Sequence, residues 1–496
     1  MVQVQASNTF DTALFIKAKK EHKVIILDLE AVWCHWCHVM DKTTYKNKVV
    51  QNLIDKYFLF VKVDHDARPD LAQKYRDYGW PATIFFDENG KEIVKRTGYI
   101  APDKMIALLK SIIADPSAEK IEPEVSRTYK TSILNPKLKK TLEQRHKDTY
   151  DTDLGGLNIG QKFLEEDSIL YTMLQASQGN TREEARAKKT LDAAIQLIDP
   201  VWGGAYQYST HGDWNHAHYE KIMRIQARYI KVYALAAKQF KSEIYLNASK
   251  HVAEYVLRFL KDDNGAFYVS QDADIKQGEK AHRYFEYNNT QRLSLGIPKI
   301  DKHLYASSQG QMIEALVYLY EASKDKKYLH YAKSAANWTL RNRFVHGGGF
   351  SHDKKYTLLY LQDNLYMGKG LLALYRATGE VPWLRQASKL GYFLARHFKA
   401  PKAGIFTATD NGTPIKPIRQ LDENIHTARF MTLLGHYTGK STHKDFAKHI
   451  MRYLVNNTIA LKRITEAGIL ICDYEFSHKP IHLTVDGEKS HKHCIV

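Results

Sequence analysis

The chain has 496 residues, too many for one ordinary domain, and 44% of them are hydrophobic, which excludes a disordered polypeptide. Lysine and arginine number 72 against 55 aspartates and glutamates, a net charge of +17. The excess is spread along the chain without a basic run, so we interpret it as a solvated surface and expect no nucleic-acid binding. An acidic substrate or partner is the functional alternative.

The chain has four cysteines, Cys34, Cys37, Cys472 and Cys494, which excludes a small scaffold held together by disulfides. No apolar run approaches the roughly 20 residues that a membrane helix needs. The opening residues lack the basic-then-apolar pattern of a secretory leader. We therefore expect a soluble protein with no membrane span, cytoplasmic as the sequence is written and periplasmic if a leader was removed.

Residues 1–115 predict an α/β domain in which helices and strands alternate. A helix over 8–23 precedes a mostly apolar strand over 24–33, and a second helix and strand follow over 49–57 and 58–64. A helix over 69–79 leads into two strands within 80–100, which flank an Asn-Gly hairpin turn. A helix over 102–113 closes the domain.

The segment "VWCHWCHVM" places Cys34 and Cys37 directly after the first strand, at the opening of a helix. A helix N-terminus has unpaired N–H groups and a positive dipole end, both of which stabilise a thiolate. The thiolate is the nucleophile of disulfide exchange. The first cysteine is the exposed one in this geometry, so we predict that Cys34 attacks and Cys37 resolves. The His-Trp pair between them leaves open whether the site reduces or oxidises its substrate.

Two other interpretations of the segment are disfavoured. C-x-x-C-H is also a haem-attachment pattern, but that chemistry is expected in a small helical domain and not in a strand-rich one. Zinc needs four converging ligands, and the two cysteines with His35 and His38 are too crowded to form a tetrahedron. We therefore expect no metal and no cofactor other than the cysteine pair.

The segment resembles the thioredoxin fold, and three further residues match that fold's redox site. Asp28 matches the buried acid thought to take the proton of the resolving cysteine, and Lys62 matches the lysine that pairs with that acid. Pro81 matches the cis-proline that faces the dithiol. The resemblance implies a thiol–disulfide oxidoreductase; a domain that keeps its cysteines for packing is the alternative. The supporting residues of this site are Asp28, Trp33, His35, Trp36, His38, Lys62, Trp80 and Pro81.

Beyond a proline-containing connector at 116–136, the pattern changes to paired amphipathic helices, as over 309–325 and 328–344. Between the pairs, a glycine followed by aromatic or β-branched residues recurs at 155, 203, 265, 347, 404 and 468. One pair cannot bury its own apolar face, so the pairs must stack. We predict that they close into an all-α (α/α)6 toroid over 137–480, followed by a C-terminal tail over 481–496. An open solenoid is the alternative.

The toroid has two polar clusters that could carry chemistry. In the first, over 206–221, a histidine or glutamate could act as general acid or base while aromatic rings stack on a sugar. In the second, "SQDAD", two aspartates provide the paired carboxylates that glycoside hydrolysis requires. Polar loops that support the toroid wall are the alternative, and no metal-ligand spacing is present. The candidate residues are Tyr208, Trp214, His218, Glu220, Lys221, Asp272 and Asp274.

Nearly the whole chain resembles the YyaL-type thioredoxin-domain family, which includes spermatogenesis-associated protein 20. "GGAYQYSTHGDWNHAHYEKIM" is similar to that family's GGGF-x-RYS…W-x-VPHFEKML segment, and "GAFYVSQDAD" to its GGFYSALDAD stretch. The resemblance implies a thioredoxin-like domain followed by a six-hairpin toroid akin to the N-acylglucosamine 2-epimerase type. The chain departs from the family at Ser307 and Ser308, where the family has Trp-Asn.

Three functions remain open on the sequence. The first is a thiol–disulfide oxidoreductase whose toroid binds a thiol or disulfide protein or a small-molecule substrate. The second is a sugar isomerase, epimerase or other carbohydrate-active toroid with an accessory thioredoxin module, and the third is a non-catalytic interaction module. A toroid cavity that opens toward Cys34 would favour coupled chemistry, whereas opposed openings would favour two independent functions.

Overall fold

The computed structural model describes residues 9–117, 129–354 and 358–478 together with Pro480. Part of the expected connector and the whole of the expected tail at 481–496 lie outside the described residues.

A four-stranded sheet with the order β2-β1-β3-β4 forms the first domain. Strand β1 pairs in parallel with β2 and antiparallel with β3, and β3 pairs antiparallel with β4. The strands are β1 (Val24–Glu30), β2 (Phe58–Asp64), β3 (Ala82–Phe86) and β4 (Glu92–Thr97). The helices are α1 (Thr12–Glu21), α2 (His35–Thr43), α3 (Lys48–Tyr57), α4 (Pro69–Lys74) and α5 (Pro102–Ala114).

Apolar side chains cover both faces of this sheet, which is why β1 reads as a nearly continuous apolar run. On one face, Leu27 and Ile84 pack with residues of α1 and α4. On the other face, Ile26 and Phe85 pack with residues of α2, α3 and α5. The predicted alternation of helices and strands, and the position of the cysteines where β1 gives way to α2, are confirmed.

Long helices form the second domain and are arranged in pairs, as the periodicity predicted. In chain order they are α6 (Pro136–Asp148), α7 (Glu166–Ser177), α8 (Thr181–Ala194), α9 (Met223–Phe240), α10 (Glu243–Phe259), α13 (Ala306–Ser323), α14 (Lys326–Asn342), α15 (Leu361–Thr378), α16 (Val381–His397), α17 (Leu421–Thr438), α18 (Ser441–Leu454) and α20 (Ala467–Ser477). Shorter helices lie between them: α11 (His282–Glu286), α12 (Asn289–Leu295) and α19 (Asn457–Ala460).

The inner helices of successive pairs contact one another in the cyclic order α7-α9-α13-α15-α17-α20 and back to α7, so the ring is closed. The last pair joins the two ends of the domain, because α20 packs against α6. At this contact Lys139 Nζ of α6 forms an ion pair of 2.8 Å with Asp473 Oδ2 of α20. The expected toroid is thereby confirmed, and the open solenoid is wrong.

Short two-residue strands connect the pairs: β5 (Tyr208–Ser209), β6 (Ala217–His218), β7 (Lys221–Ile222), β8 (Ser270–Gln271), β9 (Ile300–Asp301), β10 (Phe344–Val345) and β11 (Gly349–Phe350).

Five of the six glycine-led segments are turns in which glycine has a positive φ. The prediction of a turn at the sixth segment was wrong, because Gly468 lies within α20. The helix expected over 217–240 begins only at Met223, because β6 and β7 precede it.

The first domain covers the end of the ring at which the inner helices begin. Arg76 forms an ion pair with Asp422 at the start of α17. His352, in the turn before α15, donates a hydrogen bond of 2.8 Å from Nε2 to the carbonyl oxygen of Asp66. No helix of the described residues is long and apolar enough to cross a membrane.

We predict that Gly310→Ala lowers the free energy of unfolding by about 1–3 kcal/mol, because overpacking a tight contact forces the surrounding backbone to shift. A Cβ at Gly310 of α13 would lie 2.3 Å from the Tyr366 carbonyl carbon and 2.4 Å from the Met367 nitrogen of α15. Urea unfolding followed by the helical circular dichroism signal measures the change. Gly160→Ala is the matched control, since a Cβ there meets no atom within 4 Å; equal effects of the two variants would contradict the prediction.

Candidate functional site

The cysteine pair lies at the N-terminus of α2 and is joined by a disulfide. Cys34 is the N-cap residue, and its Sγ accepts a hydrogen bond of 3.2 Å from the Cys37 amide. The expectation that Cys34 is exposed was wrong: it is 4% exposed and Cys37 is 2% exposed. The physical reason is the toroid, because both cysteines belong to the apolar cluster formed mainly by toroid residues.

Two histidines of the cysteine motif bind two aspartates of the toroid. His35 Nδ1 lies 2.7 Å from Asp274 Oδ2, and His38 Nε2 lies 3.1 Å from Asp272 Oδ2. Both carboxylates are buried. Burial acts to lower the pKa of His38, but the hydrogen bond to Asp272 and the charge of its carboxylate outweigh burial, so the pKa is raised. The structure thus brings together two residue sets that are more than 230 positions apart.

Asp28 lies buried in the middle of β1, and burial, followed by the charge of Glu30, raises the pKa of its carboxyl well above its usual range. Its Oδ1 has no hydrogen-bond partner among the described residues. Lys62 is opposite Asp28 in the sheet register, yet its ammonium pairs with Glu30 at 2.7 Å and with Asp41. The acid therefore keeps an unpaired oxygen, and the lysine's ion pairs go to other carboxylates.

Aromatic residues surround His65 on the side of the motif that faces the ring. The His65 ring lies 5.4 Å from that of Trp33 and 4.7 Å from that of Trp80. Trp33 also donates from Nε1 to Asp66 at 2.8 Å. The Trp80–Pro81 peptide bond is cis, as the resemblance implied. These rings pack against the toroid cluster, so the groove beside Pro81 is covered.

A cleft of about 390 Å³ lies between the two domains, beside the cysteine motif. His35 and Trp36 line it from the first domain. Glu220 and Asp274 belong to the lining contributed by the toroid, which also includes His218, Tyr219, Lys280 and His282. A cleft of this size accommodates a small organic molecule. The cleft therefore places toroid side chains beside His35 and Trp36, the residues that follow Cys34 in the chain.

Two ionisable groups of the cleft have strongly shifted pKa values. Burial, with smaller contributions from Asp272 and Asp274, raises the pKa of Glu220 to about 8. Burial, followed by the charge of His282, lowers the pKa of His218 to about 4. The His218 ring stacks on Tyr208 with their centroids 4.4 Å apart. At neutral pH a protonated carboxyl and a neutral imidazole therefore face the cleft.

Of the seven toroid candidates, His218, Glu220 and Asp274 line the cleft, and the other four do not: Tyr208, Trp214, Lys221 and Asp272. Trp214 and Lys221 support the toroid wall. Trp214 is buried and donates from Nε1 to the Leu154 carbonyl at 2.9 Å. Lys221 is buried and forms an ion pair of 2.7 Å with Asp199. Burial lowers the pKa of Lys221 to about 8, although the carboxylate of Asp199 acts in the opposite direction.

Sequence reasoning missed a chain of charges that links the inner helices. Lys231 of α9 lies 3.1 Å from both Glu166 of α7 and Glu314 of α13, and Lys369 of α15 lies 3.1 Å from Glu314. The signal available in the sequence was a charged residue inside an apolar stretch, as in "YIKVYALAA", "MIEALVYL" and "MGKGLLAL". These charges neutralise one another and therefore account for their own burial.

Two family models match parts of the chain, one in each domain. Residues 6–141 match the family Thioredox_DsbH, described as "Protein of unknown function, DUF255". Residues 279–410 match Glycosyl Hydrolase Family 88. The family resemblance inferred from the sequence, and the fold class of a thioredoxin-like domain followed by a toroid, are confirmed.

Curated relatives cover parts of the chain. Human spermatogenesis-associated protein 20 is 27% identical over 300 residues, which are 52% of this chain and 38% of the human protein. The chain spans about two fifths of the length of the curated relatives that it matches first. The thiol:disulfide interchange protein DsbD of Campylobacter jejuni (strain RM1221) is 34% identical over 88 residues, which are 17% of this chain and 15% of that protein.

Among solved structures, a D-mannose isomerase superposes with a TM-score of 0.52 at 12% identity. The match covers 69% of this chain and 98% of the isomerase. At this level of identity the likeness shows the toroid fold alone.

We predict that His38→Gln destabilises the protein more at about pH 6 than at about pH 8. The folded-state pKa of His38 is raised, so its pairing with Asp272 contributes fully below the unfolded-state pKa and is lost as the pH rises through the folded-state pKa. Urea unfolding at a series of pH values measures this dependence.

His330→Gln, a change at an exposed histidine of α14, is the control for the loss of an imidazole elsewhere. A His38→Gln effect that is the same at both pH values would show that the charge of His38 does not stabilise the contact.

Proposed function

Because the chain is a homologue of the spermatogenesis-associated protein 20 proteins and begins with a thioredoxin-like redox module, we propose that it catalyses thiol–disulfide exchange at Cys34 and Cys37. The observation that carries the proposal is the position of this pair. Cys34 caps α2 at the end of β1, where the helix N-terminus favours a thiolate. The same pair lies beside a cleft that the toroid shares.

In the exchange, the Cys34 thiolate attacks one sulfur of a substrate disulfide, and the substrate S–S bond breaks as the Cys34–substrate bond forms. The departing substrate sulfur leaves as a thiolate and takes a proton. Cys37 then attacks Cys34 Sγ, which releases the second substrate thiol and forms the Cys34–Cys37 disulfide. The substrate gains two electrons and the protein loses two; the reverse sequence oxidises a dithiol.

The buried carboxyl of Asp28 is suited to take the proton of Cys37 in the second step. An ionised Asp28 would be costly in its buried position, which is why its pKa is raised. A carboxyl with a raised pKa can exchange a proton with a thiol near neutral pH. Lys62 forms its ion pairs with Glu30 and Asp41 and not with Asp28.

The toroid contributes to the site through the two histidine–aspartate contacts. Asp274 and Asp272 hold His35 and His38, which flank Trp36 in the cysteine motif. In this proposal the toroid positions the motif and its lining residues bind the substrate. Contacts at both histidines fit a toroid that takes part in the reaction of the cysteine motif better than they fit a toroid with an unrelated reaction.

We predict that Cys34→Ser abolishes the exchange of a model disulfide such as glutathione disulfide or insulin, because it removes the nucleophile. Cys37→Ser is expected to accumulate the mixed disulfide, which mass spectrometry of the intact protein detects. Cys472→Ser is the matched control, since this cysteine forms no disulfide and is buried in the toroid, outside the cysteine motif. Full activity of Cys34→Ser would overturn the proposed function.

Sugar isomerisation or epimerisation by the toroid is the second candidate function, and Glu220 favours it. A buried carboxyl with a pKa of about 8 that lines a cleft can act as a general acid. The match to Glycosyl Hydrolase Family 88 also supports a carbohydrate ligand. Glycoside hydrolysis by Asp272 and Asp274 fits less well, because both carboxylates are bound to histidines of the first domain.

This second function predicts that the protein binds aldoses such as D-mannose and converts them, and that Glu220→Gln lowers turnover by about 100-fold or more. Calorimetric titration and NMR of the sugar measure the two effects. Lack of binding by the wild-type protein in its oxidised and reduced forms would exclude this function.

A further inference from the structure

The toroid covers the surface on which a polypeptide substrate would have to lie. Both cysteines and the cis-proline Pro81 are buried, and the neighbouring Trp80 packs against the toroid cluster. The ring also holds the first domain at Asp66 and at Arg76. A folded protein cannot bring its disulfide to Cys34 past these contacts.

With that surface covered, the cleft between the domains is the route by which a substrate could approach the cysteine motif. It is lined by His35 and Trp36, the two residues that follow Cys34 in the chain. Trp36 is 39% exposed although it is a large aromatic residue. The cleft volume of about 390 Å³ falls in the range of small-molecule sites and is too small for a protein domain.

The charges of the lining favour a ligand that carries carboxylates. Lys280 is the one lysine or arginine among the described residues that line the cleft, and its ammonium lies 5.3 Å from the centre of the Trp36 ring. The two acidic residues of the lining, Asp274 and Glu220, repel a carboxylate ligand only weakly. Asp274 accepts hydrogen bonds from the Gly278 amide and binds His35. Burial keeps Glu220 protonated at neutral pH, since its pKa is about 8.

We propose that the substrate of the cysteine pair is a low-molecular-weight disulfide bearing carboxylates, which enters through the cleft and meets Lys280. This inference rests on the proposed thiol–disulfide exchange and names its substrate class. Trp36 and the histidine rings of the lining provide an apolar wall and hydrogen-bonding groups for a peptide-like ligand. In this proposal the His35–Asp274 hydrogen bond breaks as the disulfide of the ligand reaches Cys34, the residue next to His35 in the chain.

With glutathione disulfide as the probe, the reduced protein gives up two electrons and two protons. The Cys34 thiolate breaks the S–S bond of the probe, forms a Cys34–glutathione bond and releases one glutathione. Cys37 then releases the second glutathione and closes the Cys34–Cys37 disulfide. An external dithiol, dithiothreitol in the assay, returns the protein to its reduced form.

The first test compares substrates of different size on the full chain. We expect kcat/KM for glutathione disulfide to exceed that for insulin by about tenfold or more, because insulin cannot enter the cleft. Insulin reduced as fast as glutathione disulfide would overturn the inference while leaving the exchange function intact. If neither is reduced and the Cys34–Cys37 disulfide exchanges with no thiol, the proposed function itself fails.

The second test opens the interface. The double variant Asp272→Asn/Asp274→Asn weakens both contacts that hold the motif against the toroid. We expect insulin reduction to rise and the preference for glutathione disulfide to shrink, with circular dichroism used to verify that both domains are folded. A folded double variant with an unchanged preference would contradict the covering role of the toroid.

The third test examines charge. For Lys280→Glu we expect the ratio of kcat/KM for glutathione disulfide to that for the neutral hydroxyethyl disulfide to fall about fivefold, the size of an exposed ion-pair effect. Lys276→Glu is the matched control, because Lys276 is an exposed lysine of the same loop outside the cleft lining. Equal ratios in wild type and Lys280→Glu would rule out recognition of carboxylates by this lysine.

Discussion

Two imidazole–carboxylate hydrogen bonds, His35 to Asp274 and His38 to Asp272, join the domains at the redox site. The carboxylates are buried, and a buried carboxylate without a partner is costly. Each domain therefore provides hydrogen-bond partners for the other: the toroid provides acceptors for the histidines, and the cysteine motif provides donors for the aspartates. The contact is made next to the buried Cys34, and two of its residues, His35 and Asp274, line the cleft.

The same contact separates this site from that of an isolated thioredoxin-like domain. In the isolated fold the motif lies on the surface, and any exposed disulfide can reach it. Here the motif is covered by toroid residues, and in the proposed function access is set by the size of the cleft and by its charges. A cysteine pair that exchanges disulfides from a buried position gains selectivity, because protein thiols and disulfides in bulk solvent are kept away from it.

The ring can support this contact because it is closed. Helix α20 packs against α6, which joins the beginning of the toroid to its end. The charge chain through Lys231, Glu314 and Lys369 ties neighbouring inner helices together at fixed distances. Close packing of α13 on α15 at Gly310 adds a further constraint. The loop that carries Asp272 and Asp274 begins at β8, which pairs with β7 and β9 of the toroid.

The sequence by itself determined the features that depend on neighbouring residues. The apolar run of β1, the cysteines at its end and the paired helical periodicity all report local structure, and the structure confirms them. The helix start predicted at 217 and the turn predicted at Gly468 were wrong. Residues 217–222 form β6 and β7 ahead of α9, and Gly468 lies within the apolar run of α20. The candidates Asp272 and Asp274 came from a local acidic pair.

Only the tertiary structure decided what those residues contact. His35 and Asp274 are 239 positions apart, and no local pattern encodes that two such segments meet. The burial of Cys34 follows from the toroid and not from its own helix, so the sequence predicted an exposed thiol where the structure has a covered one. Periodicity fixes which face of an element is apolar; which element covers that face is decided by the packing of the whole chain.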